Sequence, residues 1–407
     1  VDETSNVFVF EEPTKIGSVP YSVTVGTETY TNAVTATTEE VGSTPNTDMT
    51  AAGPNMKHTI ETSGGGGKYM CQASADGRYI AHNPLNDSVV QVLKGDGESG
   101  YTNYATFTYS QTSTGNLVGS MSYDGKYIIV AHADSNSYTY EIWKNDESTS
   151  TFTKLAQSVS RIGSHNSIYK PSFVPRSGTY DFAITGTDNN TNFDIKLYKH
   201  TAGTDTWTGQ TTINDPANRP TSDHRRGRYS CQFTRDGKYL MQGYYYTYSG
   251  YAMYTIDWDA NTAVFSGANH SGGSGNIGYS GTVTLDGKYV LIFHNDSNSR
   301  KIFKNNDAGD WSSATDVTTD FTFADTDNDQ GYDISFFGEH SEYFVSKMQS
   351  GNVRVYSWYP KKEVTLAFAN PTLTLTGQNV TISSAKLYKD DVLFHTYGTE
   401  SNVVLRT

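Results

Sequence analysis

Cysteine is almost missing from this 407-residue chain, which has two. Two thiols cannot build a disulfide framework or a multi-thiolate zinc site. Long apolar runs are missing too. No stretch approaches the roughly 18–20 apolar residues needed to cross a bilayer as a helix, and no charged-then-apolar segment opens the chain. Cations are outnumbered, 30 Lys and Arg against 43 Asp and Glu, for a formal net charge of −13. A chain this acidic, without a basic block, lacks the electrostatic footprint of a phosphate-backbone binder. Only 35% of residues fall in the hydrophobic set. What is abundant is tyrosine, 30 residues, and glycine, 37. Disordered chains lack aromatics, whereas Tyr, Thr, Val and Ile suit pleated, half-buried surfaces.

The dominant signal is an internal repeat. Asp-Gly-Lys/Arg-Tyr followed by an apolar run occurs at Asp76-Gly77-Arg78-Tyr79, Asp124-Gly125-Lys126-Tyr127, Asp236-Gly237-Lys238-Tyr239 and Asp286-Gly287-Lys288-Tyr289. Degenerate copies stand at Ser177-Gly178-Thr179-Tyr180 and His340-Ser341-Glu342-Tyr343, so successive tyrosines are 48, 53, 59, 50 and 54 residues apart. Asp-Gly fits a tight hairpin turn, because Gly tolerates positive φ and Asp can bond its own backbone. An apolar strand follows, as in Tyr127 to Ala131 or Tyr289 to Phe293. A third strand ends in a large apolar residue plus Lys: Leu93-Lys94, Trp143-Lys144, Tyr198-Lys199, Phe303-Lys304. A fourth fits at 151–155 or 207–212. Four strands in about 50 residues, with no helical pattern between them, make a propeller blade. The expected fold is all-β, a six-bladed β-propeller, with a seventh blade if the termini complete one. Residues 55–62 read as the strand that closes the ring.

These Asp-Gly-Lys-Tyr hairpins resemble the broad group of β-propellers with such repeats, loosely like WD40 and YVTN-type proteins, over residues 55–362. The Trp-Asp and Gly-His pairs of true WD40 repeats do not recur. The resemblance implies the architecture and no particular activity, because propellers host both binding modules and enzymes.

The two ends of the chain differ from the repeats. Residues 363–407 contain a hairpin turning at Asp390-Asp391 and a closing Ser401-Asn402-Val403-Val404 strand. Residues 1–30 open with a similar Ser5-Asn6-Val7 strand. Both read as partial, small β-sandwich-like segments, and the C-terminal piece resembles the Ig-like modules of large surface and virion proteins, including those of algal viruses. One alternative makes them fragments of separate modules in a longer chain; the other pairs them within this chain. Residues 31–54, rich in Thr, Ala, Glu, Gly and Pro, read as a linker on either view.

Candidate chemistry is sparse. Asp325, Asp327 and Asp329, followed by Gln330-Gly331, alternate acidic oxygens in a way that can wrap Ca²⁺. The glycine comes one place later than in an EF-hand loop and no twelfth-position Glu follows, so a solvated acidic turn is the favoured reading and no cofactor is required. Arg225 and Arg226 belong to the one basic cluster, His224 to Arg228, which suits an anionic ligand such as a carboxylated glycan, or is simply exposed. Tyr244, Tyr245, Tyr246, Tyr248 and Tyr251 load one blade-four loop with rigid, amphipathic contact area. His82, His132 and His294 follow second strands and read as loop caps rather than metal ligands. Cys71 and Cys231 lie in opposite blades and read as buried free thiols in a slot held elsewhere by Gly119 and Gly281. Sequons stand at Asn86, Asn189, Asn269, Asn295 and Asn379.

No nucleophile elbow, phosphate loop or zinc helix is present, and no carboxylate pair can be nominated for glycoside chemistry. The expectation is therefore a non-enzymatic structural or adhesive module of a larger extracellular or virion-surface protein. Its loops would meet a glycan or protein surface or neighbouring subunits, with no nucleic acid and no membrane insertion. A carbohydrate-active propeller enzyme, glycosidase or lyase, is the alternative.

Overall fold

The Asp-Gly hairpin shows why the sequence folds as it does. In Ser122 to Tyr127 the turn closes through Gly125 N–H donating to the Ser122 carbonyl at 3.1 Å. Asp124 Oδ1 accepts from Lys126 N at 3.0 Å and from Ser122 Oγ at 3.0 Å, while Ser122 Oγ accepts from Tyr127 N at 2.9 Å. The same arrangement recurs with Ser74 and Asp76, Thr234 and Asp236, and Thr284 and Asp286. The hairpin unit is therefore Ser/Thr-x-Asp-Gly-Lys/Arg-Tyr, two residues longer than the repeat read from the sequence. The hydroxyl satisfies the tyrosine N–H that the turn would otherwise leave unpaired.

The computed structural model describes residues 6–11, 18–25, 28–39 and 55–60, most of 70–357, and the strands between 363 and 404. It divides into two units, residues 51–358 and the two chain ends together. The larger unit is a six-bladed β-propeller, each blade an antiparallel sheet. Its inner strands are Cys71–Ala73, Leu117–Met121, Ser172–Phe173, Cys231–Phe233, Ile277–Val283 and Gly331–Phe337. They touch one another in cyclic order, the sixth returning to the first. Blade six takes its outer strand from the start of the propeller: Asn55–Ile60 pairs antiparallel with Val353–Ser357.

The core is a set of seams between blades. One seam brings Met70, Tyr79, Val90 and Val92 of blade one against Leu117, Ile128 and Val130 of blade two. Another packs Val174, Ile195 and Leu197 of blade three on Phe233, Leu240 and Tyr254 of blade four. Because each sheet is covered on both faces, strands such as Tyr127–Asp134 carry near-continuous apolar runs. A modest apolar fraction then suffices, each fully buried aliphatic side chain contributing about 1.5–3 kcal/mol. Neighbouring inner strands are also stitched together. Phe173 N donates to Ser120 Oγ at 3.0 Å, Phe233 N to Ser172 Oγ at 3.1 Å, and Thr282 Oγ1 to Gln232 Oε1 at 2.6 Å.

In the second unit the two ends of the chain share sheets. Asn6–Glu11 pairs with Glu363–Ala369, and Glu28–Glu39 pairs with Thr381–Lys389. Thr381–Lys389 pairs in turn with Val392–Tyr397 across Asp390 and Asp391. The Glu28–Glu39 strand runs into the stretch read as linker. Its alternating Thr and Val residues favour extended backbone over a flexible connection.

Candidate functional site

An antiparallel blade puts its connections on two faces. The hairpin face carries the Asp-Gly turns and the turns between third and fourth strands. The loop face carries the connections between second and third strands and those leading from one blade to the next. All three segments singled out in the sequence join strand ends on this loop face. Tyr244, Tyr245, Tyr246 and Tyr248 lie between Tyr239–Gly243 and Ser249–Asp257. Arg225 and Arg226 precede the inner strand Cys231–Phe233, and Asp325, Asp327 and Asp329 precede Gly331–Phe337. These residues themselves lie outside the described ones. Tyr251 is described, and it is not on the surface. It is fully buried, edge-on to Phe303 and Trp311 with ring centroids 5.4 and 5.7 Å away. Its strand register opposite Gly243 turns it into the seam with blade five, which removes it from the tyrosine surface.

Beneath the loop face the channel is bridged. Lys170, at the start of the inner strand of blade three, donates from Nζ to Asp333 Oδ1 of blade six at 2.8 Å. Blades three and six stand opposite in a ring of six, so the pair spans the channel, and both side chains are almost fully enclosed. Oδ1 also accepts from Ile334 N at 2.9 Å, and Oδ2 from Cys71 N at 2.7 Å and Gln72 Nε2 at 2.9 Å. Burial pushes the Asp333 carboxyl up from its ordinary value, while Lys170 and the N–H donors pull it back. All four partners are donors, which matches the ionised form.

Two polar slots flank this bridge, in the seams between blades six and one and between blades three and four. In the first, Cys71 and His82 are cross-strand neighbours and face Lys347. In the second, Cys231 and Gln242 are cross-strand neighbours and face Thr185. Both thiols are free and buried. Burial pushes Cys71 far up and Cys231 up to about 12, so neither supplies a thiolate near neutral pH. The glycines in the equivalent slots leave no room for more. A Cβ on Gly119 would stand 2.6 Å from Met70 Cε, and one on Gly281 2.4 Å from Ile292 Cδ1. Burial, and then the Lys347 charge, hold His82 down at about 3, so its ring is neutral.

A third polar cluster lies between blades one and two. Glu141 is buried, accepting from Lys154 Nζ at 2.6 Å, Trp143 Nε1 at 3.2 Å and Ser110 N at 3.3 Å. His132 Nε2 stands 3.5 Å from the same carboxylate. Burial would raise the Glu141 pKa, but hydrogen bonding from His132, Lys154 and Ser110 outweighs it and holds the group at about 2. His82 and His132 are thus separate seam residues; the His294 side chain lies outside the described residues. Among the described residues no group of His, Cys, Asp and Glu is arranged to hold a metal ion.

Sequence reasoning missed Lys170, Asp333, Lys347 and Glu141. A signal did exist for Lys170: it occupies the place before an inner strand where other copies have Met70, Ser230 or Ser280. A charge in a register of small and apolar residues marks a buried pair.

No family model matches the chain, and no curated protein matches it either. Several solved structures are similar. A candidate 6-phosphogluconolactonase from Bacteroides uniformis is 17% identical, with a TM-score of 0.43 over 59% of this chain and 67% of that one. The periplasmic gluconolactonase of Pseudomonas aeruginosa is 12% identical, with a TM-score of 0.40 over 61% and 84%. A chain of a mitotic checkpoint complex is 10% identical, with a TM-score of 0.45 over 75% and 95%. The expectation that the chain is not an enzyme is corrected on this finding. Propellers similar to it include lactonases, so the lack of a familiar catalytic motif in the sequence does not argue against hydrolysis. Among the described residues no helix is long and apolar enough to cross a membrane.

Proposed function

We propose that the propeller is a recognition module of an extracellular or virion-surface protein, and that its loop face docks on a glycan or protein surface. One observation carries this reading: the tyrosine-rich, arginine-rich and aspartate-rich segments all connect strand ends on the same face. Tyr, Ser, Gly and Asn, which recur in these connections, give rigid contact area and adaptable hydrogen bonding at low entropic cost. The hairpin face differs. Its Asp-Gly turns are short, alike, and occupied with hydrogen bonds to their own and neighbouring blades, as where Tyr180 OH donates to Asp124 Oδ2 at 2.7 Å. The acidic charge, scarce cysteine and Ser/Thr/Asn-rich connections support an extracellular or virion setting. Asp325, Asp327 and Asp329 are carried forward as a Ca²⁺ loop of the loop face, tested by calorimetric titration of chelator-treated protein.

The test compares wild type with a loop-face variant, Tyr244, Tyr245, Tyr246 and Tyr248→Ser with Arg225 and Arg226→Ser, and a hairpin-face variant, Lys126 and Lys238→Ser. Binding is read on immobilised glycans and on candidate protein surfaces, with gluconolactone turnover measured alongside. The expected result is loss of at least tenfold in affinity for the loop-face variant alone. Equal binding by that variant, or loss confined to the hairpin-face variant, overturns the reading.

A further inference from the structure

The seam between blades six and one contains a buried charge without a counter-charge. Lys347, on the second strand of blade six, is fully enclosed. Among the described residues its Nζ has one hydrogen-bond partner, the Gly351 carbonyl, and no carboxylate pairs with it. An ammonium has three N–H donors, so one carbonyl leaves two to place. Facing it across the seam is His82, also fully enclosed, with neither ring nitrogen closing a hydrogen bond of ordinary geometry. The neutral imidazole still offers one N–H. Cys71, cross-strand from His82, adds a weak S–H donor to the same slot. Nearby, Lys170 and Asp333 cancel each other. The slot thus gathers donors around one positive charge, in an enclosure where a lone buried charge costs several kcal/mol. The diametrically opposed seam has the same layout with neutral groups only, Thr185 facing Cys231 and Gln242.

We propose that this seam binds a small monovalent anion of the halide kind, held between the Lys347 ammonium and the His82 N–H. One uncompensated charge calls for one negative charge. The complete enclosure of both side chains excludes a large or multiply charged ligand such as phosphate, which would have to enter with its hydration shell. The anion pins the second strand of blade six to blade one, the seam where the ring is closed by the Asn55–Ile60 strand. It therefore acts as a closure ion for the propeller rather than as a ligand of the loop face.

Two measurements on the full chain test this. Crystals soaked in bromide should show an anomalous difference peak within hydrogen-bonding reach of Lys347 Nζ. Thermal unfolding midpoints, measured as chloride replaces methanesulfonate at constant ionic strength, should rise for wild type by the linkage expected of a ligand of the native state. Lys347→Met should remove the chloride response, and His82→Gln should weaken chloride binding about tenfold. The absence of a bromide peak at Lys347 overturns the proposal, and this needs no variant to fold. So does a chloride response as large in Lys347→Met as in wild type.

Discussion

Gly125 and Gly178 hold nearly the same backbone, φ +71° and +72°, in the same turn of neighbouring blades. Their surroundings differ. A Cβ on Gly125 would stand 2.3 Å from Cδ2 of the buried Tyr79 ring, while one on Gly178 meets nothing within 4 Å. Gly178→Ala should cost only the left-handed penalty, about 1–2 kcal/mol, and Gly178→Asn less. Gly125→Ala should cost clearly more, because the Tyr79 ring that seals blade one to blade two must move. Urea denaturation of the three variants checks the order, and equal losses at the two sites would contradict the packing argument. Titration gives a second residue-level expectation. His82 has a native pKa of about 3 against 6.5 in its ordinary state. Between those values the unfolded chain binds the extra proton, so stability falls as pH drops below 6.5. Glu141, at about 2 against 4.5, adds stability that is present above pH 4.5 and is lost as pH falls toward 2. His82→Gln, the residue that blade four uses at the equivalent place, should flatten the first limb and leave the second. Denaturation midpoints from pH 7 to 3 report this directly.

At the scale of the element, the hairpin was legible and its partners were not. Asp-Gly announces its turn locally, since the positive φ and the Asp hydrogen bonds lie within six residues. The hydroxyl two places before Asp belongs to the same element and could have been read, because Ser74, Ser122, Thr234 and Thr284 share it while degenerate blade three has Val174 there. Thr284→Val keeps the shape but leaves the Tyr289 N–H, now donated to Thr284 Oγ1 at 3.0 Å, without a partner. A loss of about 1–3 kcal/mol is expected, with Thr284→Ser near wild type, both read by denaturant midpoint. The lysines that end third strands had no evident purpose in the sequence. In the ring each reaches the turn between third and fourth strands of the next blade: Lys94 to Glu147, Lys144 to Asp205, Lys199 to Asp259. Their acidic partners could be identified only once the blades were placed side by side. These pairs are largely exposed, so each contributes at most about 1 kcal/mol, and they fix spacing more than stability.

The whole ring decides the residues that no local pattern could reveal. Lys170 and Asp333 are 163 positions apart and meet only because blades three and six face each other across the channel. Their roles are unequal, and that inequality is measurable. Asp333→Leu removes the acceptor of four donors, leaving the Lys170 ammonium, the Cys71 N–H and the Gln72 amide unmatched in an enclosed place. Stranding a buried charge in this way costs about 3–5 kcal/mol. Lys170→Met leaves a carboxylate that keeps the N–H groups of Cys71, Gln72 and Ile334, so its loss should be smaller. The double variant removes the stranded ammonium and should regain part of what Asp333→Leu loses, giving a favourable coupling energy in a double-mutant cycle. Because the pair ties opposite blades, the losses should fall on one cooperative unfolding transition rather than on a separate early one. Strictly additive single effects would show that the two side chains meet without holding each other, and that the channel is closed by packing alone.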